Sequence, residues 1–259
     1  MSGKSSTELE NEDHEQKKDQ ELKTSQSEKR EQIEQEVFNF NLWCDPKHGP
    51  VRPHERIPGA PALSVTLECS PTFKPNKNDF KILLRVTYEG IAGPNGSVEK
   101  ATKPITFRCF SVFGLTEDVN RHGLRLYLRR PVAADDEGDW EECIQDEDGC
   151  FRLYDAPDVS ASVATDEDFT SLFPGESWTN YRIFDSTLPD KLIPGDVFCC
   201  GYKGGLVDWW NWGSSEDHAK TVVQVPSYIA GKVTNPSDNE GRPEIIVPAS
   251  KPVMFKIVE

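Results

Sequence analysis

Residues 61–70 read PALSVTLECS and residues 78–90 read NDFKILLRVTYEG, and in both stretches apolar and polar residues alternate. A period of two places alternate side chains on the same face of a β-strand. The two stretches therefore predict a pair of strands that each bury one face. Their apolar positions are Leu63, Val65, Leu67 and Cys69 in the first stretch and Phe80, Ile82, Leu84, Val86 and Tyr88 in the second.

Similar short runs continue to the end of the chain and are separated by turn sequences such as Gly93-Pro94-Asn95-Gly96, Pro174-Gly175 and Pro194-Gly195. No run is followed by an amphipathic helix of ten or more residues. Short strands joined by turns predict an all-β fold, an immunoglobulin-like antiparallel β-sandwich, with a closed barrel as the alternative. The other candidate strands are KPITFRCFSVFG, HGLRLYLRRP, GCFRLYD, SWTNYRIFDST, GDVFCCGY, LVDWWNW, KTVVQVP and PVMFKIVE.

Composition divides the chain into unequal parts. Residues 1–37 are rich in Glu, Lys, Gln and Ser and hold too little apolar surface to offset the entropy of ordering, which predicts a disordered or transiently helical acidic tail. Residues 38–60 form a Pro-rich lead-in that we expect to be strapped to the sandwich by its aromatic residues, Phe38, Phe40 and Trp43. Residues 61–259 form the sandwich domain, with an acidic insertion at 133–168.

The net charge of −15 argues against nucleic-acid binding, which requires clustered Lys and Arg to neutralise phosphates. The densest basic cluster is at residues 121–130. Three of its arginines lie beside alternating leucines in a candidate strand, which predicts one solvated strand face. These arginines are Arg125, Arg129 and Arg130.

Targeting features are missing from the sequence. No apolar run follows Met1, and no apolar run is long enough to span a membrane. The seven cysteines have no CxxC spacing and are interpreted as buried free thiols of a reducing compartment. We therefore expect a cytoplasmic protein, with the nucleus as the alternative, and no membrane partner.

Several of these runs together resemble a known group of proteins. The elements are PALSVTLE, KPITFRCFSVFG, LFPGESWTNY, LIPGDVF and WWNWG, over about residues 60–220. They resemble a group of largely uncharacterised fungal intracellular β-sandwich proteins that have L-x-PG turns and a terminal WWxWG element. Some relatives are associated with deuterolysin-like metalloproteases, whose zinc motif HExxH is absent here. The resemblance therefore implies a sandwich, and without this motif it does not imply proteolysis.

The stretch GGLVDWWNWGSSEDHAK at 204–220 contains the candidate binding residues. If 206–212 is one strand, Trp210 and Trp212 share a face with Asp208, while Trp209 shares the other face with Asn211. A two-layer sandwich buries one face of each strand, so at least one indole should be exposed or covered by another segment. The tryptophans are either core residues or a recognition surface that includes Asp208 and Asn211.

Catalytic and metal-binding patterns are weak. Asp208 and His218 are the candidate acid–base pair, but Ser214 followed by Asp217 also fits a local capped turn. An EF-hand alignment over 144–155 would place Ile144 at the first ligand position, so we expect a solvated acidic loop there. We expect no metal site and no cofactor.

Together these observations favour a non-enzymatic interaction module that binds another protein. Two alternatives remain: a sandwich that binds a small molecule or carbohydrate through its tryptophans and Asp208, and an accessory enzyme of a fungal specialised-metabolite pathway that uses Asp208 and His218.

Overall fold

The computed structural model describes residues 49–75, 81–113, 122–131, 139–143, 157–183, 191–227 and 231–259. These residues are mostly in strands, and a single helical turn, α1 (Phe110–Phe113), is the α-helix among them. The prediction of an all-β fold is confirmed. The tail at 1–37, the aromatic residues of the lead-in and the candidate strand GCFRLYD lie outside the described residues. No described helix is long and apolar enough to cross a membrane.

The described residues contain sixteen strands. In chain order they are β1 (Pro61–Glu68), β2 (Thr72–Phe73), β3 (Lys81–Ala92), β4 (Val98–Glu99), β5 (Ile105–Arg108), β6 (Leu124–Arg129), β7 (Trp140–Glu142), β8 (Val159–Ser162), β9 (Phe169–Leu172), β10 (Ser177–Ile183), β11 (Val197–Tyr202), β12 (Gly204–Val207), β13 (Trp210–Trp212), β14 (Val222–Val225), β15 (Ile245–Pro248) and β16 (Val253–Ile257).

The two opening stretches of the sequence pair with each other. β1 runs antiparallel to β3, with Val65 opposite Val86, and β10 pairs with the other side of β3, with Trp178 opposite Val86. β4 continues the sheet at one end of β3. The alternation holds along β3, because every second residue from position 82 to 88 is buried. These residues are Ile82, Leu84, Val86 and Tyr88.

A second sheet has the order β2-β16-β11-β6-β7. β11 is central and places Phe198 opposite Phe255 of β16 and Leu128 of β6. Three smaller sheets have the orders β13-β5-β9, β12-β15 and β14-β8.

The inward faces of the two larger sheets share one hydrophobic cluster, which also takes residues from β5, β12, β13 and β15. Phe198 and Phe255 stack at 5.1 Å between ring centroids. The buried Tyr202 hydroxyl donates to the Val112 carbonyl of α1 at 2.9 Å, so α1 is tied to the core. Burial of large apolar side chains from several sheets in one cluster is the main stabilising term of such a fold.

The lead-in is attached to this core at Val51. Its N–H donates to the Lys203 carbonyl at 2.8 Å, and its carbonyl accepts from Ala249 N–H at 2.9 Å. Gly204 has a φ of +132°, and a Cβ at that position would lie 2.4 Å from Val51 Cγ2. Glycine at 204 therefore lets the lead-in lie directly on β12.

Two strand predictions are corrected by the structure. KPITFRCF does not continue as a strand beyond Arg108, because the chain turns into α1 at Phe110. LVDWWNW is two strands, since β12 pairs with β15 whereas β13 pairs with β5, and the chain crosses between sheets at Asp208 and Trp209. Short strands at 140–142, 159–162, 169–172 and 245–248 were not predicted from the sequence.

The prediction of a solvated arginine face on β6 is wrong for Arg129. Its side chain is buried, and its guanidinium carbon lies 4.8 Å from the ring centroid of Trp140. β7 brings Trp140 over this face, where Tyr127 and Cys199 are also buried. A long cationic side chain can be buried when an aromatic ring covers it. The alternation of apolar and polar residues does not predict such burial.

Candidate functional site

The site predicted from the sequence lies where β12 and β13 separate. Asp208 and Trp209 occupy the crossing, and Gly213 ends β13. Gly213 has a φ of +115°, and a Cβ there would lie 2.9 Å from Asp217 Cβ and 3.3 Å from His218 Nε2. The glycine therefore allows the turn at 214–220 to fold back against β13.

Trp209 belongs to a small second core. Its indole is 1% exposed and makes edge contacts with Phe169 at 5.4 Å and with His218 at 6.0 Å between ring centroids. Its Nε1 is buried and has no hydrogen-bond partner in the described part of the chain. The other buried members of this core are Ala161, Val163, Val223 and Val233.

Trp210 and Trp212 lie on the side of the main core. Trp210 is 1% exposed and donates from Nε1 to the Pro243 carbonyl at 2.7 Å. Trp212 is half-buried and meets Trp210 edge-to-face at 5.1 Å. Trp209 therefore packs in a different cluster from the other two indoles. This second cluster buries the face of the segment that the main core leaves uncovered.

The free edge of β13 is closed by side chains. Arg108 N–H donates to the Trp209 carbonyl, and Gly213 N–H donates to the Pro104 carbonyl. Because bonded residues alternate along an antiparallel strand, the backbone groups of Trp210 and Trp212 point away from β5. All four of these groups are bonded by side chains. Asn239 Oδ1 accepts from Trp210 N–H at 3.2 Å, Arg242 Nε donates to Trp210 O at 2.8 Å, Asn211 Oδ1 accepts from Trp212 N–H at 2.8 Å and His218 Nε2 lies 3.0 Å from Trp212 O.

His218 is held at both ring nitrogens. Because a carbonyl can only accept, Nε2 carries the proton that is donated to Trp212 O. Nδ1 lies 3.1 Å from the Thr221 hydroxyl. The imidazole is 5% exposed, so its contacts fix the end of β13 and the turn that follows.

Asp208 is held by a different set of groups. Its Oδ2 lies 3.0 Å from Arg108 Nη1 and accepts from Val233 N–H at 2.7 Å, and both charged side chains are buried. Arg108 Nη1 also donates to the Gly231 carbonyl at 2.7 Å. Asp208 Oδ1 and Arg108 Nε are buried and have no hydrogen-bond partner among the described residues.

Two neighbouring groups have perturbed pKa values. Burial raises the pKa of Asp168, and this effect exceeds the opposing effect of the Arg108 guanidinium 3.9 Å away. Burial also raises the pKa of the Cys109 thiol to about 12, with the Asp168 charge acting in the same direction. Cys109 is thus held in the thiol form at neutral pH, which disfavours it as a nucleophile.

The predicted cap is present in the turn after Gly213. The Asp217 carboxylate accepts from Ser214 N–H at 2.8 Å and from the Ser214 hydroxyl at 3.0 Å. These hydrogen bonds, the backbone one first, lower the pKa of Asp217. Asp217 therefore has a local structural role.

The predicted binding residues are thus adjacent but engaged in different contacts. Trp209 and Trp210 have no indole face open to a ligand, and Asn211 and Trp212 are half-buried. No sequence pattern predicted a role for Arg108, Asn239 or Arg242. Arg108 offered one clue, a cation in an otherwise apolar run, but nothing in the sequence indicates a carboxylate partner 100 positions away.

The described residues contain no cluster of three or more His, Cys, Asp or Glu that could hold a metal ion. The acidic stretch at 144–155, considered above for calcium, lies outside them. Comparison of the chain with protein families, with characterised proteins and with solved structures finds no match.

Proposed function

We propose that the chain is a non-enzymatic, immunoglobulin-like β-sandwich module of the cytoplasm that binds another protein. The observation that carries the proposal is a pair of exposed aromatic side chains near β10. Phe173, in the turn before the strand, is 51% exposed, and Tyr181, within it, is 52% exposed. Exposed large aromatic side chains of this kind are enriched at protein interfaces.

The contacts of the catalytic candidates support a non-enzymatic role. Asp208 neutralises a buried guanidinium, and both nitrogens of His218 are close to structural partners. A general base needs a lone pair that can reach a substrate proton. Neither side chain offers one to solvent, since both are buried.

Charge and thiols are consistent with the proposed setting. A net charge of −15 favours a partner with a basic surface, because complementary charge accelerates association. The five described cysteines form no disulfide bond with one another, as expected in a reducing compartment. The immunoglobulin-like assignment rests on the sequence pattern and on two sheets that share a core. The fungal resemblance rests on the sequence motifs alone.

The alternatives have less support. A ligand that stacked on Trp209 or Trp210 would have to displace the groups that bury them. The buried unpartnered atoms of Arg108 and Asp208 are the feature that favours a small polar ligand. Asp208→Asn keeps the shape of the side chain and should abolish such a ligand site, but it also leaves the buried Arg108 charge unpaired and lowers stability. In the folded fraction of this variant, binding of a protein partner should be unchanged.

The proposal is tested by affinity capture with a photo-crosslinking amino acid placed at Tyr181 and, as a control, at the exposed Lys251. We expect one protein to be crosslinked from Tyr181 in a saturable manner and not from Lys251. Its binding to the purified chain should weaken with salt. Crosslinking that is equal at the two positions, or no captured protein at all, would contradict the proposal.

A further inference from the structure

We infer that the free edge of β10 accepts an extended segment of the partner protein as an added β-strand. The inference rests on the proposed function and names the site at which that function operates. Within the described part of the chain, β10 pairs with β3 alone and forms one edge of its sheet.

The hydrogen-bond pattern gives the direction of each backbone group of β10. Tyr88 N–H of β3 donates to the Glu176 carbonyl at 3.0 Å, which makes residues 176 and 88 a hydrogen-bonded pair. In an antiparallel ladder the bonded residues then alternate. Trp178 and Asn180 therefore bond to β3, and the backbone groups of Ser177 and Thr179 point outward from the sheet.

The edges of β13 and β10 differ in how their outward backbone groups are bonded. All four outward backbone groups of Trp210 and Trp212 on β13 are bonded by side chains. On β10 a side chain blocks the Tyr181 N–H, which donates to Asn180 Oδ1 at 2.7 Å. Edges left open to solvent are templates for another strand, and proteins commonly close those that must not pair.

The side chains beside this edge match an alternating segment. On the outward face Tyr181 lies opposite Leu83, and Lys81 Nζ lies 4.4 Å from the Tyr181 ring centroid. On the inward face Trp178 is half-buried. An added strand would place one set of side chains against Tyr181 and the other against Trp178, which favours a segment with β-branched or aromatic residues at alternate positions.

The net charge indicates which molecule provides that segment. A second copy would bring another chain of charge −15 against the first, which opposes edge-to-edge pairing at low salt. A neutral or basic partner avoids this repulsion. The occupant is therefore an extended segment of a different protein that carries a neutral or positive net charge.

The test uses Thr179→Pro, with Thr179→Val as its matched control. Proline removes the outward N–H and adds a ring at the edge, but it leaves the ladder to β3 intact. Valine keeps the N–H. The probes are fluorescent synthetic peptides that tile the sequence of the captured protein, and their affinity is measured by anisotropy. We expect Thr179→Pro to weaken the best peptide by at least about tenfold and Thr179→Val to change it less than about twofold.

Amide hydrogen exchange on the wild-type complex gives a readout that does not depend on the variant folding. We expect the Ser177 and Thr179 amides to become protected when the peptide binds. A peptide that binds without this protection, and with equal affinity for the proline variant, would overturn strand addition and leave the proposed function standing. Concentration-dependent dimers that disappear in Thr179→Pro would overturn the choice of partner. Failure to capture any protein would overturn both proposals.

Discussion

Arg108 and Asp208 lie 100 positions apart in the chain and form a buried ion pair, with 3.0 Å between Nη1 and Oδ2. The pair joins β5 to the crossing between β12 and β13. It also holds the segment at 231–233, through the Gly231 carbonyl and the Val233 N–H. Two sheets and a loop thus meet at a single pair of charges.

Removal of one partner of this pair should be costly, because the other charge stays buried. We expect Asp208→Ala to lower the free energy of unfolding by about 3–5 kcal/mol in urea titrations. The double variant Arg108→Met/Asp208→Leu should recover most of this loss, since neither charge remains. A loss of under about 1 kcal/mol in Asp208→Ala would show that the pair is solvated in solution.

Closure of the β13 edge should depend on His218 as a hydrogen-bond donor. We expect His218→Ala to cost about 1–3 kcal/mol, because Trp212 O and the Thr221 hydroxyl lose their partner. His218→Gln can still donate toward Trp212 O and should retain more stability. The two variants are compared by urea unfolding. Equal losses would mean that ring packing against Trp209, rather than the hydrogen bond, is the important contact.

The turn after β13 should require glycine at position 213. Gly213→Ala places a methyl group 2.9 Å from Asp217 Cβ at a φ of +115°. Gly175→Ala is the matched control, since Gly175 has a φ of +87° but nothing within 4 Å of the added Cβ. We expect both to be destabilised by about 1 kcal/mol of backbone strain, and Gly213→Ala by clearly more. Similar melting temperatures of the two variants would contradict a packing role.

The buried Tyr88 should make the fold sensitive to alkali. Burial raises its pKa from 10.0 to about 12, so above pH 10 the unfolded chain loses this proton before the folded one. The contribution of Tyr88 to the free energy of unfolding is complete below pH 10 and is lost as the pH rises toward 12. At pH 11 the loss is about 1.4 kcal/mol.

Tyr88→Phe is the variant that isolates this effect. The Tyr88 hydroxyl is buried, and no described residue hydrogen-bonds to it. We therefore expect the substitution to be neutral or stabilising at pH 7. The unfolding free energy of the variant should fall less steeply than that of the wild type between pH 9.5 and 11 in parallel urea titrations. The same slope in both proteins would assign the alkaline loss to other groups.

Local patterns in the sequence were sufficient for the strands that bury one clean face. β1 and β3 follow their alternation because the polar residues between the apolar ones face solvent. The capped turn at Ser214 and Asp217 was likewise predictable, since its partners are three residues apart. Trp209 and Trp210 point to opposite sides of the segment, which also follows from local geometry because successive side chains of an extended chain alternate in direction.

Only the tertiary structure decided which contacts these residues make. The break at Asp208, the Arg108 ion pair and the closure of β13 by Asn239 and Arg242 join segments that are distant in the chain. Alternation reports which side of a strand a residue faces, because side-chain direction is set by the local backbone. It carries no information on what packs there, since that is set by how the sheets assemble. For this reason the sequence by itself determined a β fold with tryptophans on two sides of one segment. The assembled sheets decided that Trp209 and Trp210 are core residues and that β10 forms an edge of its sheet among the described residues.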